Sequence, residues 1–254
     1  MKNETVKFTN ESNHELVAKI DFPDTEVKAF ALFAHCFTCN KNLTAVTNIS
    51  RSLNKAGIAV MRFDFTGLGE SEGDFENTNF SSNVNDIIDA AEFLKANYQA
   101  PSILIGHSLG GAAIIFAANK IPSITALVTL GAPSNPKHVT HLFQSSIEEI
   151  KSKGKALLNI GGRPFSIKKQ FLDDINEKNM KQVLAETRIP ILVMHSPQDT
   201  TVSIENAAMI YEYSWHPKSF ISLDNADHLL SDRNDSKYAG AVIAVWASRY
   251  LPST

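Results

Sequence analysis

One serine of this sequence lies in a pattern that can make it a nucleophile. Ser108 is the centre of a G-x-S-x-G pattern at 106–110, which follows an apolar stretch at 102–105 and precedes a helical pattern at 111–119. Between a strand and a helix, this pattern predicts a nucleophile elbow, a sharp turn that exposes the serine hydroxyl. A serine hydroxyl is a poor nucleophile at neutral pH unless an adjacent base takes its proton. The sequence must therefore also supply a base and a group that orients it.

Asp199 and His228 are the residues best placed to serve as acid and base. Asp199 follows a predicted strand at 191–194, and His228 follows a predicted strand at 219–223. An elbow of this kind takes its partners in the order acid, then histidine, and active sites of open α/β sheets assemble at the carboxyl ends of strands. We therefore expect Ser108 as nucleophile, His228 as base and Asp199 as the acid that orients the base. The alternatives that stay open as base or acid are His35, His107, His138, His141, His195, His216, Asp173, Asp174 and Asp227.

An oxyanion formed during acyl transfer needs two N–H donors aimed at it. Leu109, directly after the nucleophile, is expected to supply one from its backbone. By position, Phe37 supplies the other, because it lies in the loop at 35–38 that follows a predicted strand at 30–34. Both residues would act through the main chain, so their side chains are less diagnostic than those of the triad.

The two cysteines of the chain, Cys36 and Cys39, lie in this same loop. A pair so close together builds no disulfide framework, and its presence is compatible with a reducing compartment. The pair forms a C-x-x-C without a thioredoxin-like setting, and with His35 it makes a poor tetrahedral zinc site. We expect the cysteines to pack a tight loop, to bind no metal and to be dispensable for the chemistry.

Alternating strand and helix patterns must position these residues. Most strand candidates are continuous apolar runs, as expected for strands buried on both faces, and they occur at 30–34, 58–63, 102–105, 126–130, 191–194 and 219–223. Helical stripes occur at 43–53, 84–94, 204–211 and 241–250. Two short runs at 6–8 and 16–20 predict an antiparallel hairpin. The pattern indicates an α/β protein with a mostly parallel central sheet and helices on both faces, formed as a single domain over 1–254.

Residues 132–188 interrupt this rhythm and are expected to form a short cap, or lid, insertion over the strand ends. An amphipathic helix is predicted over 139–150, and strands at 155–160 and 163–167 flank Gly161-Gly162 as a hairpin. Arg163 stays open between binding a substrate carboxylate and a surface role. Apolar walls with few polar groups suit a small acyl chain, so we expect short to medium esters. The candidate substrate contacts are Cys36, His107, Leu142, Phe143, Arg163 and Phe165.

Several loops resemble those of the α/β-hydrolase superfamily. The run at 34–39 is similar to its His-Gly oxyanion segment, with Cys36 in place of glycine, and the run at 62–71 resembles its Asp-x-x-Gly-x-Gly-x-Ser loop. With 75–82 and 219–230, they are similar to the hydrolase part of bifunctional hydrolase/OsmC-like proteins, which carry a thiol-peroxidase-type second domain. The resemblance implies an α/β-hydrolase fold and a serine hydrolase. An OsmC-like partner stays open, because the sequence ends where that domain would follow.

Composition limits the remaining function classes. The 254 residues are 43% hydrophobic and 20% charged, with a formal net charge of −3 and no basic stripe, so nucleic acid is not an expected partner. No apolar run suggests a membrane span, and the N-terminal residues lack a signal-peptide pattern, so we expect a cytoplasmic protein. The expected partner is a small-molecule ester, with no metal or organic cofactor; a homodimer stays open. Thioesterase, peptidase and acyltransferase activities, and a non-catalytic module, are the alternatives.

Overall fold

An eight-stranded sheet forms the centre of the computed structural model, which describes residues 2–160 and 162–251. The strand order is β1-β2-β4-β3-β5-β6-β9-β10. Its strands are β1 Asn3–Thr9, β2 Glu15–Asp21, β3 Ala29–Ala34, β4 Ile58–Phe63, β5 Ile103–His107, β6 Ala126–Leu130, β9 Ile191–His195 and β10 Lys218–Ser222. β1 and β2 form the predicted antiparallel hairpin, and β2 pairs antiparallel with β4. The six remaining strands of this sheet, β3, β4, β5, β6, β9 and β10, run parallel.

Helices cover both faces of the sheet and bury two apolar clusters. On one face, α1 and α8 pack together against the strands, while α2, α3 and α7 belong to the cluster on the other face. The helices of the sheet layer are α1 Thr44–Lys55, α2 Phe80–Asn97, α3 Leu109–Ala118, α7 Glu205–Tyr213 and α8 Arg233–Ala247. Short 3₁₀ turns occur at Phe75–Asn77 and Ser248–Tyr250. This arrangement confirms the α/β-hydrolase fold expected from the sequence.

Residues 132–188 lie between β6 and β9 and hold a separate set of small elements. β7 Lys155–Ile160 and β8 Arg163–Lys168 pair antiparallel, as predicted, although Gly161 of the expected turn lies outside the described residues. Two further helices, α5 Lys169–Asn176 and α6 Met180–Glu186, follow the hairpin. The sequence patterns had not indicated α5 and α6, which have seven or eight residues each.

The helix predicted over 139–150 is wrong in its continuity. A 3₁₀ segment at Pro136–Ser146 is followed by α4 Ile147–Lys153, and the backbone leaves helical geometry at Phe143, with φ −141° and ψ 30°. The side chain of Phe143 is only 2% exposed and packs against Phe171 of α5. The free energy gained by burying this ring outweighs that of the helical hydrogen bonds lost where the backbone leaves helical geometry.

The last helix begins earlier than the apolar stripe at 241–250 indicates. The Asp232 side chain accepts a hydrogen bond from the Asn234 N–H, so it caps α8 at its N-terminus. The first turns of α8 are polar, so a search for an apolar stripe does not detect them. Among the described residues, no helix is both long and apolar enough to cross a membrane.

Candidate active site

Ser108 sits at a sharp turn between β5 and α3. Its backbone has φ 54° and ψ −125°, a region that costs a non-glycine residue about 1–3 kcal/mol. The turn closes because glycines flank it: a Cβ on Gly106 would lie 2.4 Å from the Gly110 carbonyl oxygen, and one on Gly110 would lie 2.4 Å from that of His35. The G-x-S-x-G pattern therefore reflects close backbone packing on both sides of the serine.

The three side chains expected to form a triad are brought into one chain of hydrogen bonds. Ser108 Oγ lies 3.0 Å from His228 Nε2, and His228 Nδ1 lies 2.7 Å from Asp199 Oδ2. Because an ionised carboxylate only accepts, Nδ1–H of the neutral imidazole donates to Asp199, which leaves Nε2 as the acceptor for the serine hydroxyl. The arrangement can move a proton from Ser108 to His228.

Asp199 is held as a carboxylate by donors on every side. Its Oδ1 accepts the backbone N–H groups of Thr201 at 2.8 Å and Val202 at 2.9 Å. Burial alone would raise the pKa of this carboxyl, but the hydrogen bond from His228 and the two backbone donors outweigh burial and hold the pKa below its usual value. Asp199 can therefore stabilise a positive charge on His228 over the whole neutral range.

His107, one of the candidate substrate contacts, lies behind the base. Its Nε2–H donates to the carbonyl oxygen of His228 at 2.7 Å, and the two rings are 5.1 Å apart. Burial, with the nearby His228 ring as a smaller cause, lowers the pKa of His107 to about 3. A neutral His107 thus ties the loop that carries the base to the strand that carries the nucleophile.

His195 provides a similar support under the acid. The His195 Nε2–H donates to the Val202 carbonyl at 2.7 Å and lies 3.5 Å from Asp199 Oδ2. Burial lowers the pKa of His195, so the ring stays neutral and holds the turn from which Val202 bonds to Asp199. The sequence patterns missed these positioning roles of His107 and His195, because each ring bonds to a backbone carbonyl, of His228 and of Val202, which no side-chain motif identifies.

Two backbone N–H groups beside Ser108 are free of partners within the described part of the chain. The Leu109 N–H is free because Leu109 begins α3, and the Phe37 N–H lies in the loop after β3. Leu109 and Phe37 are the residues expected from the sequence as oxyanion donors, and that role stays a prediction. The segment 35–41 that contains Phe37 is called the oxyanion loop below.

The oxyanion loop contains a disulfide that the sequence analysis did not expect. Cys36 and Cys39 are joined, with their Cα atoms 5.3 Å apart, and the Cys39 N–H donates to the Cys36 carbonyl at 3.1 Å. The expectation of two unlinked small residues packing a tight loop was therefore wrong. A C-x-x-C spacing brings both sulfurs together when the backbone turns, and the turn here includes Thr38 at φ 60°.

Buried charges anchor the far end of the oxyanion loop. The Lys41 N–H and Nζ donate to the two oxygens of Asp64 at 2.7 and 2.5 Å, and Nζ also pairs with Glu70. Arg62 donates to the Lys41 carbonyl at 2.5 Å and to Asp21 at 2.8 Å. Lone buried charges are costly, so these paired groups hold a fixed geometry.

Aromatic rings pack around Phe37. Phe37 packs against Phe75 at 5.5 Å and Phe171 at 5.6 Å, and Phe75 packs against Phe165 of β8 at 5.0 Å. The cavity next to this cluster has a volume of about 10 Å³, room for about one water molecule. Its lining is mainly apolar, includes Phe37, Phe65, Leu68, Phe75 and Leu109, and does not include Ser108.

The candidate contacts from residues 132–188 occupy different surroundings. Phe165 belongs to the aromatic cluster, whereas Phe143 is buried beneath it against Phe171 and Leu142 is 38% exposed. The Arg163 guanidinium donates to the Thr38 carbonyl and lies over the Phe165 ring at 5.5 Å. Residues 132–188 thus contact the oxyanion loop through Arg163 on Thr38 and through Phe171 on Phe37.

No group of three or more His, Cys, Asp or Glu side chains is arranged to hold a metal ion within residues 2–160 and 162–251. Asp227, one of the alternative acids, accepts the Ser231 N–H at 2.8 Å within its own loop.

Comparison with known proteins identifies relatives of this architecture. The family model Hydrolase_4, described as serine aminopeptidase, S33, matches residues 25–160. The solved esterase domain of a Rhodothermus marinus protein is 47% identical, covers 99% of this chain and 100% of its own, and has a TM-score of 0.81. Alpha/beta hydrolase domain-containing protein 10 from mouse, 20% identical over 97% of this chain and 99% of its own with a TM-score of 0.77, shares the fold.

A curated relative matches a smaller part of the chain. Palmitoyl-protein thioesterase ABHD10, mitochondrial, from Bos taurus is 32% identical over 127 residues. The match spans 48% of this chain and 40% of that relative's length.

Proposed function

Because this chain belongs to the Hydrolase_4 family of serine aminopeptidase (S33) proteins, we propose that it is a serine hydrolase that cleaves carboxylic esters of short to medium acyl chains. The observation that carries the proposal is the hydrogen-bonded series from Ser108 Oγ through His228 to Asp199. A base within 3.0 Å of a serine hydroxyl, itself oriented by a carboxylate, is the arrangement that nucleophilic acyl transfer requires.

Acylation begins when Ser108 Oγ attacks the ester carbonyl and His228 Nε2 takes the serine proton. The imidazolium that forms is stabilised by Asp199, which does not itself take a proton. His228 then gives its proton to the leaving alkoxide, and the acyl group stays on Ser108. In the second half, His228 takes a proton from water as the hydroxide attacks the acyl carbonyl. The bond from the acyl carbon to Ser108 Oγ then breaks, His228 returns the proton to that oxygen, and the carboxylic acid leaves.

The free N–H groups of Phe37 and Leu109 would stabilise the oxyanion in both halves. A donor of this kind matters most in the transition state, when charge develops on the carbonyl oxygen. Asp199 thus stabilises the positive charge that develops on His228, and the two backbone donors stabilise the negative charge that develops on the carbonyl oxygen.

We further propose that residues 132–188 act as a cap that limits the acyl chain. The rings of Phe37, Phe75, Phe165 and Phe171 pack against one another, and the cavity next to them, of about 10 Å³, has room for no more than about one water molecule. A short chain can be covered by these rings, whereas a long chain would have to displace them.

The cytoplasmic location, a homodimer and an OsmC-like partner stay predictions.

Thioester hydrolysis is the second candidate, because a bovine relative is a palmitoyl-protein thioesterase. The same triad would serve, since the chemistry differs only in the leaving group. A long acyl chain such as palmitoyl is the feature that the aromatic cluster disfavours. The two proposals therefore differ in chain length as well as in leaving group.

The test measures kcat/KM for p-nitrophenyl esters and for matched acyl thioesters from acetyl to palmitoyl. We expect a maximum for esters at short or medium chains. Phe165→Ala should shift that maximum to longer chains by opening the cluster, while Phe220→Ala, at an exposed ring of β10, is the control. A maximum at palmitoyl thioester would contradict the proposal and favour the second candidate.

A further inference from the structure

The Cys36–Cys39 disulfide encloses the candidate oxyanion donor. Phe37 is one of only two residues between the linked cysteines, so the position of its N–H depends directly on the cross-link. The other enclosed residue, Thr38, has φ 60°, which is unfavourable for a β-branched residue. The covalent link thus maintains a backbone conformation that is unfavourable for Thr38 itself.

Both ends of the oxyanion loop are fixed independently of the disulfide. At the start, His35 Nδ1 donates to the Cys36 carbonyl at 2.9 Å, and the His35 carbonyl lies against Gly110 of α3. At the end, Lys41 is bound to Asp64 through both its N–H and its Nζ. Breaking the disulfide would therefore release the residues in between, 37–39, while the anchors stay in place.

Reduction would force this middle part to move. Two thiols need more room than two bonded sulfurs, and Cys36 is only 4% exposed against fixed neighbours. The displacement would fall on Phe37, Thr38 and Cys39. Two contacts reach this stretch from residues 132–188: the Arg163 guanidinium on the Thr38 carbonyl, and the Phe171 ring, 5.6 Å from the Phe37 ring. Neither contact holds the Phe37 N–H itself.

The two sulfurs differ in access. Cys39 is half-buried, whereas Cys36 is buried, so an incoming thiolate would attack Cys39 Sγ. The sulfur–sulfur bond then breaks, and Cys36 leaves as a thiolate with the bonding electron pair. The second sulfur of a dithiol attacks the mixed disulfide, releases Cys39 as a thiolate and forms a cyclic disulfide. The reductant loses two electrons and two protons, which the cysteine pair gains.

We propose that Cys36 and Cys39 form a redox modification site for small dithiols, through which reduction slows the hydrolase by releasing the Phe37 donor. The inference rests on the proposed function, because Phe37 matters only if an oxyanion forms at Ser108. Complete loss of one donor lowers kcat by about 10²–10³. A donor that is mobile but still present should cost less, so we expect reduction to lower kcat about tenfold, with KM changed less than about twofold.

The test compares oxidised, dithiothreitol-reduced and reoxidised wild-type protein in p-nitrophenyl acetate hydrolysis, with thiols counted by a chromogenic reagent. We expect the oxidised protein to have no free thiols and full kcat, and the reduced protein to have two thiols and a lowered kcat. Reoxidation should restore kcat. The double variant Cys36→Ser/Cys39→Ser should have the kcat of the reduced protein, and dithiothreitol should not change it. The reversible wild-type cycle decides the matter even where the variant folds poorly.

Hydrogen exchange of the peptide that spans 35–43 gives a readout that does not depend on activity. We expect faster exchange after reduction in this peptide and unchanged exchange in α1. Equal kcat in the zero-thiol and two-thiol states, or equal exchange, overturns the inference. Failure of the proposed function looks different, because then Ser108→Ala would hydrolyse the ester as fast as the oxidised wild type.

Discussion

Replacing His107 by glutamine is expected to make the protein less sensitive to acid. The side chain is 3% exposed, and burial lowers its pKa to about 3, against about 6.5 for a histidine in the unfolded chain. Below pH 6.5 the unfolded state binds a proton that folded His107 does not bind, so acidification favours unfolding. Glutamine can keep the donor to the His228 carbonyl without titrating.

The size of the effect follows from the two pKa values. Between pH 7.5 and pH 5.0, proton uptake by this one residue in the unfolded state should lower the free energy of unfolding by about 2 kcal/mol. Burial also lowers the pKa values of His35 and His195, and burial raises that of Asp86, which acts in the opposite direction, so the total change in the wild type differs from that of His107 alone. The difference between wild type and His107→Gln isolates the contribution of His107.

Urea unfolding followed by tryptophan fluorescence at both pH values measures this difference. The exposed His216 gives the matched control, since His216→Gln should lose as much stability on acidification as the wild type. If His107→Gln loses as much as the wild type and the control, His107 is not held neutral between β5 and His228, and the positioning role assigned to it is refuted.

Two further changes test the electrostatics. Burial raises the pKa of Asp86 to about 6, although it accepts hydrogen bonds from Thr66 and Asn10, so the folded state holds a proton that the unfolded state has lost. The free energy of unfolding should therefore fall by about 2 kcal/mol as pH rises from about 4 to 7, and the same urea titration of Asp86→Asn should lack this fall. An Asp86→Asn protein with the wild-type pH dependence would argue against a protonated Asp86. Asp199→Asn should lower kcat by about 10⁴. The amide oxygen would stay with the N–H groups of Thr201 and Val202, so the amide NH₂ would face His228 Nδ1 and the wrong tautomer would face Ser108. Steady-state ester hydrolysis checks this, and a loss of less than tenfold would remove Asp199 from the proposed triad.

The strand framework could be predicted because each parallel strand is buried on both faces. Such strands leave continuous apolar runs in the sequence, and the helices between them leave 3.6-residue periods. Ser108, Asp199 and His228 could be proposed as a set because each follows a strand end, and parallel strands bring their carboxyl ends to one edge. Periodicity and the positions of strand ends were therefore sufficient to predict where these side chains lie.

Features that depend on contacts between distant residues left no local signal. The break at Phe143 is explained by a ring that packs on Phe171, and the link from Arg163 to Thr38 joins residues 125 positions apart. The polar first turns of α8 lack an apolar stripe. The disulfide is different, because C-x-x-C spacing was visible, but only the turn at Thr38 brings the sulfurs together.

The central claim is that Ser108 is the nucleophile, and kcat/KM of Ser108→Ala for p-nitrophenyl acetate tests it most directly. Removing a triad serine lowers kcat by about 10⁶, so we predict a fall to the solvent background, with unchanged circular dichroism because the variant loses one oxygen. Ser152→Ala, at an exposed serine of α4, should keep wild-type activity. A Ser108→Ala protein that retains most of the wild-type rate would contradict the account.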